Sequence, residues 1–332
     1  MSAYTLLALR SGAPGLPGPY LEEHLEPYAL FDRIGEKTPR ILMFIGTTSD
    51  VQEVGYGAAS RDKGQERTVA LRQFDSETLC FECMLHHTTS IPRIKGGYEL
   101  GSSLHHLMAS SDITRMSWAI YSIVLSRFSD AVVIAVSDFG GFSSVIAFLC
   151  FYVECNEPSE RKIIYIAHET PFDQNRFQFD LAVSMLANLR ARNPVETPTF
   201  AEVRKLLLAN LEIRHLSTKK SSFVERVTSE ARTINEDRLR ERLVFTALQT
   251  KQLLQETISR FAIQPTTAPD LLRLSRSRFP RINQSSEQLF LFMDNFKGSI
   301  EEATSILASA FVVDAYPPGM HGTLSFAERR IS

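Results

Sequence analysis

The chain has 332 residues, of which 44% are hydrophobic, enough to bury a sizeable core in one large domain or two smaller ones. Charged residues make up 22% and the formal net charge is -2, which excludes a surface that is basic throughout and leaves room for a local basic face. No stretch has the length and apolarity of a membrane span, the start lacks the pattern of a signal peptide, and four cysteines are too few for a disulfide scaffold, so the expectation is a cytoplasmic protein with reduced thiols.

Residues 1–38 contain Gly12-Ala13-Pro14-Gly15-Leu16-Pro17-Gly18-Pro19, a string hostile to helix and central strand, and are read as an irregular arm. Arg40 to Gly46 is the first strand candidate, closed by the polar turn Thr47-Thr48-Ser49-Asp50. Thr68 to Phe74 and Thr78 to Leu85 form two β-like runs around Asp75-Ser76-Glu77, a hairpin signature that delivers His86-His87 and Ser90 beyond its second strand. Gly101 to Phe128 carries Leu104, Leu107, Met108, Trp118, Ile120, Ile123, Val124 and Phe128 at helical spacing.

Ala131 to Val136 is a run rich in β-branched residues that ends at Ser137-Asp138; Gly140-Gly141 breaks it, and Phe142 to Cys155 reads as an apolar helix. A second β-branched run, Ile163 to Ile166, ends at Ala167-His168-Glu169-Thr170-Pro171. Two continuously apolar strands joined by one helix describe a parallel pair buried on both faces, a right-handed βαβ unit. Ligands of such sheets sit beyond the carboxyl ends of the strands, which directs attention to Asp138, His168 and Glu169. Beyond Pro171, residues 176–192, 199–216, 222–262 and 284–312 read as helices separated by prolines. The expected fold is α/β, with an α/β core over 39–175 and a helical region over 176–332 packed on it.

Cys80-x-x-Cys83 with His86 and His87 has the outline of a metal knuckle, but strand alternation sends the two thiols to opposite faces, so buried structural thiols are the preferred reading and no metal is expected. Neither phosphate-loop pattern nor a G-x-S-x-G elbow is present. Tyr165-x-x-x-Glu169-x-Pro171 remains, with hydroxyls beyond other strands: Thr48, Ser49 and Ser90. Gathered at one rim, a hydroxyl nucleophile, a carboxylate and a phenol can transfer an acyl group from an activated ester. The alternative is that Tyr165 packs in the core while Glu169 and the hydroxyls serve turns and caps.

The string Tyr165-Ile166-Ala167-His168-Glu169-Thr170-Pro171 resembles the Y-x-x-x-E-x-P motif of cyclodipeptide synthases, and Gly46-Thr47-Thr48-Ser49 resembles the turn that carries their nucleophilic serine. The resemblance covers about residues 40 to 171 and implies a Rossmann-like domain that joins two aminoacyl groups, taken from aminoacyl-tRNAs, into a cyclic dipeptide through an aminoacyl-enzyme. It puts Thr48 at the position of the serine; Ser49, one residue later, is the favoured nucleophile because a primary hydroxyl is less hindered, and Ser90 is a further candidate, while the resemblance implies Tyr165 holding the substrate amino group and Glu169 binding it or relaying protons. Gly46, Thr48, Asp138 and His168 are the expected substrate-binding residues, and no cofactor is required because the ester is already activated.

The chain departs from the family in two respects: Gly101 to Phe128 holds only Arg115 and Arg127 where bacterial members carry a basic helix, and a later tyrosine has no counterpart. The fungal arginine-containing cyclodipeptide synthases are the nearest branch. For tRNA contact, Arg273, Arg276, Arg278 and Arg281 form a run without an acidic residue, whereas the basic residues between 190 and 242 alternate with glutamates as on a solvated helix surface. A non-catalytic RNA-binding or assembly protein with the same core is the alternative from a different class.

Overall fold

The computed structural model describes residues 3–10, 19–46, 68–85, 101–107, 113–156, 162–193, 198–218, 223–240, 245–265 and 298–314, with positions 271, 274, 275, 292, 295 and 296. Its strands are β1 (Ala3–Arg10), β2 (Tyr20–His24), β3 (Arg40–Ile45), β4 (Val69–Gln73), β5 (Thr78–Cys83), β6 (Ser102–His106), β7 (Ala131–Ala135), β8 (Lys162–His168) and β9 (Leu211–Ser217). They form one sheet of 9 strands in the order β6-β2-β1-β4-β5-β3-β7-β8-β9. From β5 to β9 the strands run parallel. From β5 to β6 they pair antiparallel. The α/β class is as expected, and the sheet is mixed, parallel in its centre.

The helices are α1 (Ala29–Ile34), α2 (Ile113–Ala119), α3 (Phe142–Cys155), α4 (Gln174–Arg192), α5 (Phe200–Asn210), α6 (Phe223–Arg240), α7 (Ala247–Ile263) and α8 (Ile300–Asp314). Side chains of α1, α2, α3, α4, α5 and α7 join the larger apolar cluster on one face of the sheet, with Ile41, Met43, Val132, Ile134, Ile164 and Ile166. On the other face a smaller cluster, including Leu42, Phe44, Val133 and Tyr165, is covered by Val227 and Ala231 of α6. Every residue of β7 is buried, as its unbroken apolar run requires. At about 1.5–3 kcal/mol for each fully buried Val or Ile, this strand anchors both clusters.

Buried Asp130 sets the register of the centre: its Oδ2 accepts from Ile41 N at 2.7 Å, and its own N–H donates to Ile41 O at 2.7 Å. The hairpin between β4 and β5 forms as expected, with Gln73 opposite Leu79. Cys80 and Cys83 lie on opposite faces, both buried. Burial raises both thiols well above their ordinary range, and it raises Cys150 to about 12. Among the described residues no group of three or more His, Cys, Asp and Glu side chains could hold a metal ion, and no helix is long and apolar enough to cross a membrane. His86 and His87 lie outside the described residues.

Four expectations are corrected. The arm expected over 1–38 contains β1 and β2, because Leu6, Leu7, Leu9 and Leu21 flank the glycine-proline string with core-forming positions. Residues 101–128 are not one helix: Ser102–His106 is the edge strand β6, and α2 covers Ile113–Ala119. Residues 199–216 split after Asn210 into α5 and β9, whose Leu211 and Ile213 face one side of the sheet and Leu216 the other. Residues 222–262 split where Thr246 and Gln249 build a capping box that starts α7. With β9 in the central sheet, the region 176–332 is not purely helical.

The β4–β5 turn rests on Asp75, whose carboxylate accepts from Glu77 N at 2.8 Å, Thr78 N at 2.7 Å, Thr78 Oγ1 at 2.8 Å and Arg40 Nη2 at 3.1 Å. Burial pushes this carboxyl up, but the hydrogen bonds and the Arg40 charge outweigh it and hold the group below its ordinary value. Asp75→Ala is expected to cost about 1 kcal/mol or more in urea denaturation at pH 7. A carboxyl depressed by folding stabilises above its unfolded pKa, about 3.9, and ceases to do so as pH falls through the lower folded value, so the difference between wild type and variant should shrink towards pH 3.

Candidate functional site

After β3 the chain builds β4 and β5 on one side of it, then crosses to place β7 on the other. Connections leaving neighbouring parallel strands in opposite directions open a crevice at their carboxyl ends, here those of β3 and β7. Gly46 closes β3 with φ +92°, and its N–H donates to Cys83 O at 3.0 Å. A Cβ at this position would lie 2.9 Å from both Cβ and Oδ2 of Asp138 and 3.1 Å from Ala135 Cβ. Glycine is therefore required twice over, by its left-handed backbone and by the approach of Asp138.

Asp138 belongs to the turn that leads from β7 into α3. Gly140 at φ +76° and Gly141 at φ +117° reverse the chain, with Gly141 N donating to Val136 O at 3.1 Å. Gly141 is the N-cap of α3 and supplies no side-chain cap, and the first turn of α3 contains no acidic residue. Expected substrate-binding residues Gly46 and Asp138 thus meet directly. Thr48, Ser49 and Ser90 lie outside the described residues, as do Arg273, Arg276, Arg278 and Arg281.

β8 contributes the motif residues, and strand alternation separates them. Tyr165 points to the α6 face and is only 2% exposed. Its hydroxyl donates to Glu230 Oε2 at 2.6 Å and accepts from Arg214 Nη1 at 3.2 Å, while Arg214 also reaches Glu230 at 2.6 Å and Glu212 at 2.7 Å. Burial, then the bond to Glu230 and its charge, push the phenol well above its ordinary range. This is the packed-core alternative for Tyr165: its hydroxyl is engaged beneath α6, not turned to the rim. Glu169 is exposed in the bend after β8.

His168 turns to the opposite side from Tyr165. Its ring lies 5.1 Å from that of Phe142, within a group in which Phe142 and Phe172 are 5.2 Å apart and Phe172 and His215 5.4 Å apart, edge to face. Phe177 closes the group from below at 5.4 Å from Phe172. Sequence reasoning missed this cluster and the Arg214–Glu230 pair, since both depend on β9 and α6 being brought against β8. The aromatics that follow Gly141 and Pro171 were the available signal.

Of the basic residues between 190 and 242, Arg192 pairs with Glu154 at 2.6 Å and Arg214 with Glu212 and Glu230, the behaviour of a solvated, locally neutralised surface. Three substitutions test the geometry by chemical denaturation. Gly46→Ala is expected to cost about 1–3 kcal/mol, through backbone strain and the clash with Asp138. Gly140→Ala, strained but facing open space, should cost about 1 kcal/mol and less than Gly46→Ala. Tyr165→Phe should cost about 0.5–1.5 kcal/mol by removing the bond to Glu230.

No family model and no curated protein matches this chain. Among solved structures, an ADP-ribosylation-factor-like GTP-binding protein, the small COPII coat GTPase of Encephalitozoon cuniculi in complex with GDP, is similar over 65% of this chain and 88% of its own, with 11% identity and a TM-score of 0.29. An oligomerised bacterial dynamin pair is similar over 85% of this chain and 53% of its own, with 12% identity and a TM-score of 0.28. Likeness at this level says nothing about what this chain binds.

Proposed function

We propose that this chain is an α/β enzyme working at the carboxyl rim of β3, β7 and β8, where it joins two aminoacyl groups from aminoacyl-tRNAs into a cyclic dipeptide. The supporting observation is the parallel order β3-β7-β8, which brings Gly46 and His168, at the carboxyl ends of their strands, to the same rim as Asp138. A hydroxyl just beyond Gly46, on Ser49 or Thr48, attacks the ester carbonyl of the first aminoacyl-tRNA. The terminal ribose oxygen leaves with a proton, and the aminoacyl group remains as an ester on the enzyme. The amine of the second aminoacyl-tRNA then attacks this ester, forming the first peptide bond and returning the enzyme hydroxyl. The free amino terminus attacks the remaining tRNA ester, closing the ring and releasing the second tRNA. Each step spends an ester already present, so the reaction needs neither nucleotide nor redox cofactor.

In this scheme Glu169, exposed at the rim, accepts and returns protons. Tyr165, with its hydroxyl engaged beneath α6, supports β8 from below, and the substrate amine is received by Glu169 and Asp138 in place of the phenol. Arg273, Arg276, Arg278 and Arg281 are the proposed tRNA contacts. A second reading, a non-catalytic RNA-binding or assembly protein, is favoured by the same engagement of Tyr165.

Expression in a bacterial host followed by mass spectrometry of the medium separates them. The enzyme reading expects a diketopiperazine that disappears in one of Ser49→Ala, Thr48→Ala and Ser90→Ala. It also expects Glu169→Gln to lower turnover about 10²–10⁴-fold with tRNA binding kept. Absence of any diketopiperazine, or its undiminished formation by all three hydroxyl variants, contradicts the aminoacyl-enzyme route. RNA binding without turnover would establish the second reading.

A further inference from the structure

The ring cluster beside Glu169 has features that packing alone does not use. Phe142, His168, Phe172 and His215 are only half-buried, and buried Phe177 packs against Phe142 and Phe172. The shortest contact of the His168 imidazole points to one tautomer. Its Nδ1 lies 2.9 Å from the carbonyl oxygen of Thr170, an atom that can only accept, so Nδ1 carries the proton. The longer approaches of Thr170 N at 3.4 Å and Thr170 Oγ1 at 3.3 Å would need Nδ1 to accept, and the shorter contact to the carbonyl decides against them. In the neutral ring Nε2 is then a lone-pair acceptor, and among the described residues the ring-nitrogen contacts of His168 run through Nδ1. His215 is held in turn, its Nε2 donating to His168 O at 3.3 Å.

An aromatic ledge with an acceptor at its edge matches a flat heteroaromatic ring that carries an exocyclic amino group: the ledge takes the face, and Nε2 takes an N–H. The residue after His168 is Glu169, so such a ring would lie one residue from the proposed proton acceptor. We infer that this ledge binds the adenine of the 3′-terminal adenosine of the aminoacyl-tRNA, with the 6-amino group donating to His168 Nε2. This rests on the aminoacyl-transfer reading for the identity of the ligand and on the ring geometry for its chemistry. A keto group at the same place would set one acceptor against another, so hypoxanthine should be rejected where adenine is accepted.

Titration calorimetry of the full chain with AMP and with inosine monophosphate tests this without any turnover. AMP is expected to bind about tenfold more tightly, the worth of one hydrogen bond made in place of an unpaired acceptor. His168→Ala and the more conservative His168→Gln should abolish the preference, and Phe172→Leu should weaken both nucleotides about tenfold or more by removing the stacking ring. Equal binding of the two nucleotides, binding of neither, or an AMP preference that survives His168→Ala would overturn the inference. A chain that prefers AMP through His168 yet makes no diketopiperazine keeps the adenine site and loses the transfer reaction. One that makes diketopiperazine and binds the two nucleotides alike loses the adenine site alone.

Discussion

Strand β7 is closed off from water on both faces and hydrogen-bonded on both edges, to β3 and β8, and the rest of the molecule is arranged to meet that condition. A strand so placed cannot alternate polar and apolar residues, which is why Ala131 to Val136 is apolar throughout. It cannot be joined to a parallel neighbour by a tight turn either, so α3 must intervene before β8. Asp130 fixes where the ladder starts by bonding both backbone groups of Ile41. Polar side chains excluded from β7 collect where it ends, and Asp138 stands there against Gly46.

The antiparallel wing, β4, β1, β2 and β6, extends the sheet away from this rim. It has its own buried charges, each with partners. Glu23, 3% exposed, accepts from Tyr28 Oη on one oxygen and lies 2.8 Å from His105 Nε2 on the other, which ties the edge strand β6 to β2. Burial raises the Tyr28 phenol well above its usual value, and the neighbouring carboxylate adds to the effect. A buried carboxylate held this way costs far less than an unpaired one, and it fixes the register of an edge strand that side-chain packing specifies weakly.

The parts of this fold that could be read from the sequence are those where only one period fits. β3, the β4–β5 hairpin, β7 and β8 are of this kind, because β-branched runs and turn residues favour strand, and so is α3, whose 14 residues are too many for a buried strand. Where apolar residues are too few to define a period, as in Ser102 to His106, or fit helix and strand alike, as in Leu211 to Ser217, tertiary pairing decides for strand. At the N-terminus the glycine-proline string masks two strands whose signal lies in its leucine-rich flanks. At the site, alternation along β8 was legible in principle, and it places Tyr165 and His168 on opposite sides. What could not be read was the occupant of each side: α6 with Glu230 over Tyr165, and the rings of Phe142 and Phe172 beside His168. These contacts join residues up to 65 positions apart, a pairing that no local pattern encodes.

The central claim is that the rim formed by the ends of β3, β7 and β8 is the working surface of the molecule. Hydrogen-exchange mass spectrometry on the full chain, with and without a non-hydrolysable aminoacyl-tRNA analogue, addresses it most directly. The expected result is slowed exchange in the segments spanning Val136 to Phe142 and His168 to Phe172, with the β1, β2 and β6 wing unchanged. Protection confined to that wing, or none at the rim while the analogue is demonstrably bound, would contradict the account.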